Sequence, residues 1–151
     1  MRRRILAARV ALAAFALALG ACAGTQLSEP VEIYAATLSG EREVPPVATG
    51  GRGAVEARFD HRTSLLEWQV THSGLSGPVT MGHIHGPAGP EQNAPVLIPF
   101  GGNLNGGAIS GQLRLTPEQH TQLESGQWYV NLHTARHPQG EVRGQLRIRR
   151  D

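Results

Sequence analysis

Apolar and polar residues alternate along short segments between residues 33 and 149, and glycines and prolines separate the segments. This alternation is typical of strands with one buried face, because successive side chains of a strand point to opposite sides. The pattern predicts an all-β fold, a Greek-key-like β-sandwich or barrel of about eight strands. The predicted strands are 33–39, 54–60, 65–72, 80–85, 95–100, 108–115, 127–134 and 141–149.

One segment departs from the strand pattern and predicts a short helix near 117–125. Thr116 supplies a hydroxyl N-cap, Pro117 stands at the first helical position, and Gln119 follows three residues after the cap. These are the residues of a capping box with a proline at the start of the helix. Gly126 is placed to end the helix.

Two predicted strands contain the same local order of residues. Segments 107–115 and 140–148 each include Gly-Gln-Leu-Arg, preceded by an apolar residue and a glycine. Nine residues in two copies are too few for a repeat array, so duplication and convergence on similar packing both remain open. The similarity predicts that both segments form the same kind of sheet edge.

The N-terminal residues predict export. Three arginines stand at positions 2–4, an apolar run covers 10–19, and Gly20 and Ala21 follow. This is the order of a secretory signal peptide, and the run is shorter than the roughly 20 residues that a membrane-spanning helix needs. We predict a signal peptide over residues 1–21.

The only cysteine, Cys22, directly follows Leu19-Gly20-Ala21. This order resembles the lipobox of bacterial lipoproteins, which implies lipidation of Cys22, a tether over 22–32 and a domain over 33–149. The membrane would then be a partner through the lipid, at the outer face of the cytoplasmic membrane or the periplasm-facing outer membrane. The alternative is an ordinary cleavage site followed by an incidental cysteine.

Charge argues against one class of partner. Removing residues 1–21 removes four of the 14 basic residues and none of the 12 acidic ones. The mature chain therefore has a net charge of about −2. It contains no lysine and no basic run, so nucleic-acid binding is not predicted.

Several motifs follow one another in a fixed order between residues 37 and 147. They are Leu38-Ser-Gly-Glu-Arg-Glu-Val-Pro-Pro-Val, Gly74-Leu, His83-Ile-His-Gly-Pro-Ala, Leu115-Thr-Pro-Glu, Gly126-Gln-Trp-Tyr-Val-Asn-Leu-His-Thr and Gly140-Glu-Val-Arg-Gly-Gln-Leu. This order resembles the CHRD (chordin) domain family. The resemblance implies a β-sandwich module found in bacterial exported proteins and in animal chordin, an extracellular antagonist of growth factors. It implies no particular activity.

Three histidines make a candidate metal site. His83 and His85 lie two residues apart on a predicted strand, so their imidazoles point to one side. On the later strand, Tyr129, Asn131 and His133 share one face. Three neutral imidazoles suit copper or zinc, and His72 is a candidate fourth ligand.

The same histidine pattern has a fainter resemblance to the copper site of copper-zinc superoxide dismutase. That resemblance implies that Arg143 holds an anion beside the metal. The segment 86–94 offers no bridging or zinc-ligating histidine, so dismutase activity is the least favoured function.

A structural role for these histidines is the alternative, in which His83, His85 and His133 hydrogen-bond to loop backbone. His61 and His137 fall in predicted turns and His120 on an exposed helix, where solvated or structural roles are expected. The carboxylates Glu41, Glu43, Glu56, Glu67 and Glu141 are expected on the solvated surface.

Three functions remain. No nucleophile elbow, phosphate-binding loop or cysteine nucleophile occurs in the sequence, so an enzyme is not favoured. The first hypothesis is a non-catalytic binding module of the cell envelope with a protein or glycan partner. The second is a copper- or zinc-binding envelope protein, and the third is a dismutase-type oxidoreductase.

Overall fold

Antiparallel strand pairing organises residues 30–150, the part of the chain that the computed structural model describes. The strands are β1 (Val31–Ser39), β2 (Arg52–Asp60), β3 (Leu65–Ser73), β4 (Val79–His85), β5 (Val96–Pro99), β6 (Ile109–Arg114), β7 (Tyr129–Thr134), β8 (Val142–Gln145) and β9 (Arg147–Ile148). A helical turn, Gly40–Arg42, follows β1, and helix α1 (Pro117–Glu124) lies between β6 and β7. The signal peptide and Cys22 fall outside the described residues.

The strands form one sheet that curls into a half-barrel, which confirms the all-β prediction. Their order is β5-β4-β7-β8-β1-β2-β3-β6, and β9 also pairs with β1. β1 begins at Val31, whereas the pattern predicted Ile33. The predicted strand 141–149 is divided into β8, which pairs with β7 and at Arg143 with β1, and β9, which pairs with β1.

Alternating side chains of β2 and β3 build one wall of the core. On β2, Val55, Ala57 and Phe59 are buried, and the residues between them are exposed. β3 repeats the pattern with Leu66 and Trp68. Because the sheet curls, these residues join the buried side chains of β4, β7 and β8 in a single apolar cluster. Burial of this alternating set is the main source of stability.

β7 departs from alternation, since all six of its residues are buried. Val130 and Leu132 belong to the core cluster. The side chains on the opposite face are covered by the loop 86–95, in which the Ala94 amide donates to the Tyr129 hydroxyl. A half-enclosed polar region therefore lies between β7 and the loop 86–95.

Helix α1 has the predicted cap. The Thr116 hydroxyl accepts from the Gln119 amide, and the Gln119 side chain accepts from the Thr116 amide. Leu123 inserts into the core. Between residues 30 and 150, no helix has the length and apolar character needed to cross a membrane.

Candidate metal centre

Strands β4 and β7 bring the three predicted histidines to one place. The two strands are antiparallel neighbours, and their register pairs His83 with Asn131 and His85 with Tyr129. Directly paired residues of neighbouring strands share a face. His133 lies two residues beyond Asn131 and therefore faces the same way. The tertiary structure thus converts two distant motifs into one cluster.

The ligating atoms of the cluster are close enough to share one ion. One ring nitrogen from each of His83, His85 and His133 lies within 4.8 Å of the others. The His83 Nδ1 and His133 Nε2 atoms are 3.1 Å apart. Two nitrogens bound to one tetrahedral zinc at about 2.0–2.1 Å are separated by about 3.3 Å. This pair already has the separation of two ligands.

Main-chain carbonyls orient two of the three rings. The Nδ1–H of His85 donates to the Ala94 carbonyl at 2.9 Å, and that of His133 donates to the Pro138 carbonyl at 3.0 Å. A neutral imidazole that donates from one nitrogen has a lone pair on the other. His85 and His133 therefore present Nε2 lone pairs to the centre, in the arrangement common for metal-ligating histidines.

Asn131 adds an oxygen between these two rings. Its Oδ1 lies 3.0 Å from Nε2 of His85 and 3.1 Å from Nε2 of His133. The Asn131 side chain also contributes a hydrogen bond that helps to lower the pKa of Glu43 against the effect of burial. The centre consequently holds two nitrogen lone pairs and an amide oxygen, all of which are acceptors.

Burial keeps two of the rings neutral. It lowers the pKa of His83 to about 4, with further lowering by His133 and His85 that a hydrogen bond to Asn131 only partly offsets. Burial also lowers the pKa of His133, although the bond to Pro138 opposes this. Neutral imidazole is the form that binds metal ions, so these ligands are competent at neutral pH.

The profile of the CHRD domain family matches residues 34–146, a range that includes the whole cluster. The chain belongs to the CHRD domain family. No curated protein and no solved structure matches the chain significantly. The family assignment confirms the resemblance found in the ordered motifs. The fainter resemblance to superoxide dismutase is not supported by these comparisons.

Arg143 of the CHRD domain lies behind the histidines, where it supports the loop. Its guanidinium carbon is 3.5 Å from the centre of the Tyr129 ring, and that ring stacks on His85. Its Nη2 donates to the carbonyls of Gly89 and Gln92. Arg143 thereby holds the loop 86–95 against β7. The anion-binding role at Arg143 stays a prediction.

Glu43 is a buried carboxylate that the sequence-based expectation of a solvated side chain missed. Its Oε1 is buried without a hydrogen-bond partner among residues 30–150. Burial raises the pKa of Glu43 to about 7, although the charge of Arg143 and hydrogen bonds from Val44 and Asn131 oppose the rise. Gly140 contacts this carboxylate so closely that a Cβ there would collide with it.

A cleft of about 660 Å³ opens beside this buried region. The segment 41–46 forms one wall, and the other walls are formed by 90–91, Arg143, Gln145 and Arg147. Both signs of charge and several apolar atoms line it. Arg143 lines the cleft and reaches the histidine cluster through Tyr129, whose ring stacks on His85.

The remaining predicted site residues lie elsewhere. His72 is outside the cluster, and its Nε2 donates to the Leu104 carbonyl at 3.0 Å. Cys22 is outside the described residues. Asn131 and Glu43 are the neighbours that sequence reasoning did not assign to the site. The only available signal was that Asn131 shares a face with His133.

Proposed function

We propose that this CHRD domain is an exported, lipid-anchored metal-binding module that holds one zinc or copper ion through His83, His85 and His133. One observation carries the proposal. The three imidazoles converge, and the outward nitrogens of His85 and His133 are already bonded to main-chain carbonyls. Imidazole nitrogens are good ligands for both metals.

A purely structural role for the three histidines leaves the centre of the cluster with fewer donor protons than acceptors. His83 can donate one proton from Nδ1. Three acceptors face the centre, namely Nε2 of His85, Nε2 of His133 and Oδ1 of Asn131. Buried acceptors without donors are costly, at about 1–3 kcal/mol each. A cation would satisfy all of them together, which supports metal binding.

The ligand atoms of the cluster favour a metal ion of intermediate hardness, such as zinc or copper(II). Three neutral nitrogens and one amide oxygen match the ligand types of zinc and copper(II) sites, whereas magnesium and calcium prefer oxygen ligands alone. Asn131 would serve as the fourth ligand or as the group that orients a bound water. His83 is the most exposed of the three histidines, so an ion would enter from its side.

The cleft favours a second candidate, docking of a protein or glycan partner. It is concave, of mixed charge, and formed by loops on a rigid sheet, which are common features of ligand-binding surfaces. The two candidates are compatible. Arg143 lines the cleft and stacks on Tyr129, which in turn stacks on His85.

Titration with zinc(II) and copper(II) tests the metal proposal on soluble protein that begins at Thr25. We expect the His83→Ala variant to lose at least about tenfold in affinity at this cluster, since even substitutions outside the ligand set cost 10–100-fold. His83 makes none of the bonds to Ala94 and Pro138, so the variant should keep its fold. Calorimetry and native mass spectrometry give the affinity and the stoichiometry.

The matched control is His72→Ala, which removes a histidine outside the cluster. It should bind the metal as the parent protein does. Equal binding by the parent and the His83→Ala variant would exclude the site and leave the cleft as the basis of function.

A further inference from the structure

Glu32, His61 and His120 form a second group of metal-ligating side chains, here called the β1–α1 cluster. Glu32 lies on β1, His61 directly follows β2, and His120 lies in α1. None of these elements contributes to the first cluster. The sequence pattern assigned His61 and His120 to solvated or structural roles, because His61 falls in a predicted turn and His120 on a predicted exposed helix.

The ligating atoms of the β1–α1 cluster meet around one carboxylate. Nε2 of His61 lies 3.1 Å from Oε1 of Glu32, and Nε2 of His120 lies 3.0 Å from Oε2. One ligating atom from each side chain lies within 4.8 Å of the others. Two imidazoles and one carboxylate form a ligand set used by zinc sites that keep a coordination position open.

Hydrogen bonds hold the backbone that carries these ligands in place. The His61 amide donates to the Pro30 carbonyl at 3.0 Å. The adjoining turn is closed by Asp60, whose Oδ1 accepts from the amides of Arg62 and Thr63. His120 is held by the capped helix, where its amide donates to the Thr116 carbonyl. The three ligands therefore do not depend on a long unsupported loop.

Aromatic packing orients the two imidazoles. Phe59 stacks on His120 with ring centres 4.1 Å apart and contacts His61 edge-on at 5.1 Å. The two imidazole rings are nearly perpendicular, at 88°. Side-chain exposures of 32% for His61, 20% for His120 and 15% for Glu32 leave the cluster partly open. An ion can reach it while one coordination side stays accessible to water.

The charge of the cluster suits a cation. Burial alone would raise the pKa of Glu32, but hydrogen bonds from Tyr34, His120 and His61 lower it. Glu32 therefore carries a negative charge at neutral pH. Glu124 contributes a further negative charge near Tyr34.

We propose that the β1–α1 cluster is a second metal site, which binds a zinc-class divalent ion through Glu32, His61 and His120. Without metal, each Nε2–H donates to the carboxylate. With metal, each neutral ring carries its proton on Nδ1 and binds the ion through Nε2. The ion joins α1 to β1 and to the end of β2, so binding stabilises the contact between helix and sheet. This site goes beyond the proposed function and does not depend on it.

Zinc titration of the full chain in detergent micelles tests the site in a His83→Ala background, where the zinc affinity of the first cluster is at least about tenfold lower. We expect one zinc ion to remain bound and to raise the melting temperature reversibly, with loss of the effect on chelation. Adding His120→Gln should lower the zinc affinity at least about tenfold. Glutamine keeps a side-chain donor for Glu32 but removes the imidazole.

Two further variants make the result decisive. Glu32→Gln preserves the size of the side chain and removes its charge, so it should also abolish the zinc-dependent rise in melting temperature. His72→Gln, the same kind of change outside both clusters, should leave that rise intact.

Zinc binding that is the same with and without His120→Gln and Glu32→Gln overturns the β1–α1 site. Comparison of the parent chain with His83→Ala tests the first cluster separately. Failure of one site is therefore distinguishable from failure of the other.

Discussion

At the scale of single residues, Glu141 shows how a buried charge is accommodated. The side chain is fully buried, contrary to the solvated position expected from the sequence. Its carboxylate accepts from the Ser76 amide and hydroxyl at 2.8 and 2.6 Å, and from the hydroxyls of Thr134 and Thr49 at 2.6 and 2.7 Å. Glu141 therefore joins the end of β7 to two distant loops.

The Glu141→Gln variant should be destabilised at neutral pH and much less so in acid. Burial alone would raise the pKa of Glu141, but the hydrogen bonds from Ser76, Thr134 and Thr49 lower it to about 2. Because the folded-state pKa lies below the unfolded value of about 4.3, the stabilisation is complete above that value and is lost as the pH falls towards 2. We expect a loss of about 1–3 kcal/mol in unfolding free energy near pH 7.

Urea unfolding near pH 7 and near pH 2 measures this difference. Glu67→Gln, which makes the same chemical change at an exposed residue of β3, is the control and should have little effect at either pH. A loss for Glu141→Gln that is equally large at both pH values would contradict the ionised hydrogen-bond network.

At the scale of elements, similar local sequences occupy different places in the sheet. The two Gly-Gln-Leu-Arg segments were expected to form the same kind of edge. That expectation is wrong, because β6 lies at the edge of the sheet, whereas β8 lies between β7 and β1. In both strands the glycine makes room for a neighbour: a Cβ at Gly111 would meet Trp68, and one at Gly144 would meet the Thr37 carbonyl. The Gly-Gln-Leu-Arg motif therefore indicates close packing against a neighbouring strand. It does not determine which strands are adjacent.

Removal of the α1 cap should weaken the contact between helix and sheet. Thr116→Ala deletes the hydroxyl that accepts from the Gln119 amide, a change that typically costs about 0.5–2 kcal/mol. Thr121→Ala removes a hydroxyl from the exposed surface of the same helix and should cost less, because alanine has the higher helix propensity. Chemical denaturation of both variants makes the comparison. A larger loss for Thr121→Ala would contradict the role of the cap.

At the scale of the whole molecule, the sheet brings the beginning and the end of the domain together. β1 pairs with β2, β8 and β9, so it links both halves of the half-barrel. If Cys22 carries a lipid, the tether 22–32 leads directly into this central strand. The membrane attachment would then act on a strand that pairs with three others.

The Cys22→Ser variant tests this attachment in a bacterial host that processes lipoproteins. We expect the parent chain in the membrane fraction, with lipid mass on the peptide that begins at Cys22, and the variant in the soluble envelope fraction. Fractionation and mass spectrometry give both readouts. Release of the parent chain without lipid mass would support the alternative of an ordinary cleavage site.

Much of the fold could be predicted because its signals are local. Alternation of side chains indicated the strands, and Thr116, Pro117 and Gln119 indicated the helix. The same rule placed His83 and His85 together on one face. The position of His133 beside them required the β4–β7 register, which depends on residues about 50 positions apart.

By itself, the sequence determined the strand and helix segments, the family, and which side chains share a face, since these follow from the short-range geometry of the backbone. Only the tertiary structure decided that three histidines converge, that Glu141 is buried, and that Glu32 meets His61 and His120. These contacts form when the curled sheet and its covering loops bury distant segments together. Which loop donor meets which carboxylate depends on that packing, and the local order of residues carries no signal of it.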